Sequence, residues 1–169
     1  MYCCHVTSEV YTETVGSGPS LVLLHANGGD HRDFAAVAPR LAESGWRVTS
    51  LDWPGHGRSP RSGSARAADA SRSGDRVEVF ANIWRSFTDP EHDARPLAGA
   101  VQCPALLCWG TSDPILPWHI DGRRARAALP EAEIVTFDGA GHQPFIERPE
   151  EFLDRTSSFM SRLRVANSA

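Results

Sequence analysis

Two short, unbroken apolar runs constrain the fold of this chain more than any other feature: Leu21-Val22-Leu23-Leu24 and Ala105-Leu106-Leu107-Cys108-Trp109. A strand with one wet face alternates apolar and polar residues, whereas a run without alternation is covered on both faces, as in a parallel sheet flanked by helices. Glu9 to Thr14 alternates in the β manner before the turn Gly16-Ser17-Gly18-Pro19, and Trp46 to Leu51 and Glu133 to Phe137 read as further strands. Helical patterns lie between them. Phe34, Val37 and Leu41 recur at i, i+3 and i+7, with Asp30 or Asp33 placed to cap the start and Gly45 to end the helix. Arg123 to Leu129 reads as a helix stopped by Pro130. Pro149 opens the last helix: Glu150 and Glu151 face its positive end, Phe152, Thr156, Phe159 and Leu163 form one face, and Arg162 and Arg164 sit at its negative end. This alternation predicts an α/β fold with a predominantly parallel, doubly wound sheet.

The pattern breaks in the middle. Pro60 to Arg76 holds Ser, Arg, Ala, Gly and Asp without one large apolar residue, so it has nothing to bury and reads as a flexible linker. Beyond it Val77, Phe80, Trp84 and Phe87 lie at helical spacing and read as packing surface. With 169 residues the expectation is one domain, made of an N-terminal half (1–59), the linker (60–76) and a C-terminal half (77–169).

Composition removes several classes of function. All seventeen basic residues are arginine, which excludes chemistry that needs a lysine: a P-loop lysine, a Schiff base, a pyridoxal phosphate attachment. A net charge of −4 speaks against a broad phosphate-binding surface, so no nucleic acid partner is expected. No run of about 18 apolar residues suggests a membrane span, and Met1 to Glu13 lacks the basic flank and apolar stretch of a secretion signal. Cys3, Cys4, Cys103 and Cys108 lack zinc-site spacing and read as reduced thiols, which points to the cytoplasm. Cys3, Cys4 and His5 could meet at a metal, but the expectation is that no metal or other cofactor is bound.

Four further strings, in order, resemble the α/β-hydrolase family of esterases, lipases, C–C hydrolases, haloalkane dehalogenases and epoxide hydrolases. Leu23-Leu24-His25-Ala26-Asn27-Gly28-Gly29 is similar to the family's strand ending in His-Gly-x-x, with Ala26 in place of the usual glycine. Leu51-Asp52-Trp53-Pro54-Gly55-His56-Gly57-Arg58-Ser59 resembles its Asp-x-Pro-Gly-x-Gly-x-Ser loop, whose role is structural. Trp109-Gly110-Thr111-Ser112-Asp113-Pro114-Ile115-Leu116-Pro117 looks like the loop of the triad acid, and Gly139-Ala140-Gly141-His142-Gln143-Pro144 like the loop of the histidine. The resemblance covers residues 6–59 and 77–165. It implies Asp113 and His142 as the catalytic acid and base, an oxyanion-type turn at Asn27 and Gly28, and a small ester, acyl, halide or epoxide substrate. Asn27 stands where haloalkane dehalogenases carry a halide-holding asparagine, although Gly28 stands where they usually have proline.

The family's nucleophile sits between the Asp52 loop and the Asp113 strand on an elbow written Gly-x-Ser-x-Gly. No two of the fourteen glycines here stand four positions apart. Ser64, and Asp69 within Ala67-Ala68-Asp69-Ala70-Ser71, have small neighbours but follow no apolar strand. About forty residues separate Ser59 from Val101, where an elbow unit, the next unit and a lid need on the order of a hundred. The expectation is therefore a hydrolase fold reduced in its centre by deletion or an altered reading frame, with an incomplete triad, no identified nucleophile and impaired activity. Alternatives are a non-catalytic binding module, or one part of a complementing assembly. Strands left without neighbours would expose apolar edges and favour self-association into a homo-oligomer.

Overall fold

The computed structural model describes residues 10–26, 28–53, 56–59 and 95–166. Its contacts divide the chain into two units, 1–92 and 93–169, each taken by itself below. The expected linker 60–76, the stripe at 77–87, Asn27 and the Cys3-Cys4-His5 cluster lie outside the described residues.

In the first unit, β1 (Thr12–Val15), β2 (Ser20–Leu24) and β3 (Arg47–Leu51) form a sheet in the order β1-β3-β2. β1 runs antiparallel to β3, and β2 parallel to it with Leu21 beside Val48 and Leu23 beside Ser50. The helical pattern beginning at Asp30 is broken rather than continuous. A 3-10 turn (His31–Phe34), capped by the Asp30 side chain, is followed by the separate helix α1 (Ala38–Glu43). Pro39 explains the break, because it has no N–H to give the carbonyl of Ala35. α1 ends as expected: Gly45 at φ +94° lets its own N–H reach Ala42 O and that of Trp46 reach Leu41 O, which satisfies two terminal carbonyls.

Phe34, Val37, Ala38, Leu41, Trp46 and Val48 are buried as the core of this unit. Burying a side chain the size of Val48, which is 0% exposed, stabilises by roughly 1.5–3 kcal/mol. The opposite face of the sheet differs: Val22 and Leu24 each remain 53% exposed.

In the second unit, β4 (Leu106–Gly110) and β5 (Glu133–Phe137) pair parallel, with Leu106 beside Glu133 and Gly110 beside Phe137. Between them lie a π-type turn (Trp118–Gly122) and α2 (Arg123–Ala128); after β5 come α3 (Pro144–Glu147) and α4 (Pro149–Ala166). α4 presents the face expected of it. Phe152 stacks 5.9 Å from the fully buried Phe137, Thr156 and Phe159 are buried, and Arg162 contacts Glu133 on β5. Among the described residues no helix is long and apolar enough to cross a membrane.

Candidate active site

Because β4 and β5 run parallel and end level with each other, the loops that follow leave the sheet at the same end, where open α/β sheets carry their sites. The loops are joined by backbone bonds: Thr111 N–H donates to Phe137 O at 3.0 Å and Ser112 N–H to Ala140 O at 2.9 Å. Thr111 Oγ1 accepts the N–H of Gly139 at 2.8 Å and donates to Asp138 Oδ1 at 3.1 Å. Gly110 permits this approach. A Cβ there would stand 2.0 Å from Gly141 O and 2.3 Å from Ala140 O.

Across these loops His142 Nδ1 lies 2.8 Å from Asp113 Oδ2. The other carboxylate oxygen of Asp113 accepts the N–H groups of Ile115 and Leu116 at 2.8 and 2.9 Å. The Asp113 side chain is 4% exposed and that of His142 35% exposed, so the acid is enclosed and the ring meets solvent. Burial works to raise the Asp113 pKa, but the Leu116 N–H, His142 and the Ile115 N–H together outweigh it and hold the carboxyl below its ordinary range. An ionised carboxylate only accepts, so Nδ1 of His142 carries the proton and donates it.

The sign of the resulting pH dependence follows. A carboxyl whose pKa is lower folded than unfolded adds stability above the unfolded value, and that contribution is lost as pH falls through the folded one. Asp113→Asn is therefore expected to be less stable than the parent at about pH 6, with the gap closing below about pH 3. Urea unfolding at both pH values checks this; a gap unchanged by acid would contradict it.

In the first unit the turn after β2 closes with Gly29 N–H donating to Ala26 O at 3.0 Å, so the alanine at 26 does not loosen it. Gly28 has φ +85°, a conformation closed to proline, whose φ is fixed near −65°. His25 is buried; its Nε2 accepts Trp53 N–H at 3.0 Å, so Nδ1 must be the protonated nitrogen that donates to Ala26 O at 2.8 Å.

Asp52 is 0% exposed and anchors its loop. It accepts the His31 N–H, the His31 Nδ1–H at 2.9 Å and the Arg58 N–H at 2.8 Å, while Ser59 Oγ donates to Asp52 O at 2.7 Å and accepts the N–H of Tyr11 at 2.7 Å. Asp30, His31 and Asp52 bring three potential metal-ligand atoms within 4.8 Å of one another, but the Asp52 oxygens and His31 Nδ1 are already spent in these bonds.

Among the described residues, no serine, cysteine or second acid is hydrogen-bonded to the ring of His142; Ser64, Asp69 and Ser71 lie outside them. Sequence reading missed the loop fasteners Thr111, Glu147 and His31. The spacing of Glu147 five residues after His142, with a proline-initiated turn between, was the available signal.

The sequence model described as alpha/beta hydrolase fold matches residues 19–90. A thermophilic esterase structure from Thermogutta terrifontis is similar with a TM-score of 0.73 at 16% identity, over 93% of this chain and 94% of that one. The chain has the α/β-hydrolase fold. Among the curated proteins it resembles, the pimeloyl-[acyl-carrier protein] methyl ester esterase of Chromobacterium violaceum is 43% identical over 63 residues, which are 37% of this chain and 24% of that protein's length. ABHD14B of Rattus norvegicus is 26% identical over 157 residues, covering 73% of each chain.

Proposed function

We propose that this chain descends from hydrolases of small ester or acyl substrates and has an assembled acid–base pair, while a shortened centre leaves its own turnover weak. The observation that carries this reading is the 2.8 Å bond between Asp113 and His142. With Nδ1–H donated to an ionised carboxylate, the lone pair of the imidazole sits on Nε2, the state of a general base. Asp113 orients the ring and stabilises it once protonated. In this reading water, rather than an elbow serine, gives its proton to Nε2. Acyl substrates are favoured over halides by the esterase relatives and by the φ of Gly28, which departs from the proline of the dehalogenase pattern. The shortened centre is supported by the missing Gly-x-Ser-x-Gly and by the roughly forty residues between Ser59 and Val101, where an elbow unit, the next unit and a lid need on the order of a hundred.

Turnover of p-nitrophenyl acetate by the chain and by His142→Ala tests the reading. The parent is expected to hydrolyse the ester slowly, without a burst, and the variant to lose about 10²-fold. Equal rates would remove His142 from the mechanism. A stoichiometric burst of p-nitrophenol would reveal a covalent nucleophile and overturn the impaired centre.

The same reading places a self-association surface on β2, the end strand of its sheet among the described residues, where Val22 and Leu24 remain exposed. Sedimentation is expected to show concentration-dependent association that Val22→Lys with Leu24→Lys shifts toward monomer. A single monomeric species at every concentration would count against it.

A further inference from the structure

We propose that Glu147 is a positioning residue of the site: its carboxylate grips the backbone on both sides of His142 and so aims the imidazole at Asp113. The proposal rests on reading Asp113 and His142 as a catalytic pair. Glu147 Oε2 accepts the N–H of Gly141 at 2.8 Å and Oε1 accepts the N–H of Gln143 at 3.1 Å. These donors flank His142, so one carboxylate fixes the two peptide planes that set the direction in which the ring leaves the backbone. Local sequence brings it there. Pro144 opens α3, and the N–H groups of Ile146 and Glu147 both donate to Gln143 O, at 2.9 and 3.0 Å, which folds position 147 back over position 141. Gly141 leaves the way open, since a Cβ there would stand 3.0 and 3.2 Å from the two carboxylate oxygens.

The two backbone N–H groups also hold Glu147 below the ordinary carboxylate range, which keeps it ionised as a double acceptor. Glu147 is exposed and adds little to the core, so water can replace its bonds when it is removed. Its loss should therefore change where His142 points more than whether the unit folds.

Proton NMR of the full-length chain tests this through the low-field signal of the His142 Nδ1–H donated to Asp113, assigned by its absence in His142→Ala. Glu147→Ala is expected to speed solvent exchange of that proton at least tenfold, with the backbone amides of β5 exchanging as in the parent. Glu147→Gln, which keeps one acceptor oxygen, should fall between. Exchange within twofold of the parent in Glu147→Ala would overturn the proposal, as would β5 amides accelerating by the same factor. The underlying reading fails differently: a parent without the signal, or a signal retained in Asp113→Ala, would dissolve the pair itself and the positioning role with it.

Discussion

Replacing Asp52 by alanine is expected to lower the free energy of unfolding by about 3–5 kcal/mol. The carboxylate is fully buried and accepts three donors: the backbone N–H and ring Nδ1–H of His31, and the backbone N–H of Arg58. Burial opposes its charge, but the bonds from Arg58 and His31 prevail and hold its pKa below the usual value. Alanine removes the acceptor and leaves those donors facing a space that water does not reach. Each unsatisfied donor costs about 1–3 kcal/mol, a large share of the roughly 5–15 kcal/mol that holds a domain together. Urea unfolding of Asp52→Ala measures the effect; a loss below about 1 kcal/mol would mean that the loop does not depend on this anchor.

Gly110→Ala is expected to disturb the site as well as the fold. Its Cβ would meet the carbonyl oxygens of Gly141 and Ala140 at 2.0 and 2.3 Å, and those are backbone atoms held by the 2.9 Å bond from Ser112 N–H to Ala140 O. No rotamer relieves such a contact, so the loop bearing His142 must move outward. We expect about 3 kcal/mol of destabilisation, the upper end of the usual overpacking range, and loss of the His142 Nδ1–H signal. Gly99→Ala is the control, since its Cβ would meet nothing within 4 Å and should change stability by less than about 0.5 kcal/mol. If the two variants unfold alike and both keep the signal, the close approach of the loops does not govern the pair.

What was legible in the sequence was whatever periodicity and turn chemistry encode. The bounds of β5, the amphipathic face of α4 and the glycine closing α1 all follow from spacing that survives in any environment, whereas the apolar run of β4 is only half-buried from Leu106 to Trp109. Asp113 and His142 were legible because their loops carry motif residues, and pairing of adjacent strands turns that order into contact. The helix after Asp30 was misread because apolar spacing is blind to a missing N–H at Pro39. His31 and Thr111 were invisible for another reason, and Glu147 had only its spacing from His142 to mark it. Each acts by bonding to a backbone or side-chain group whose position depends on loop conformation, and His31 meets Asp52 from 21 positions away.

The β4–β5 ladder, both site loops and the helix that packs on them all fall within one contiguous stretch, 95–166. On the proposed reading, acid and base are thus inherited together as a cassette. A recombination event that adds or removes codons upstream of that stretch leaves the mutual spacing of Asp113 and His142 untouched, so the two loops travel together whatever becomes of the residues before them.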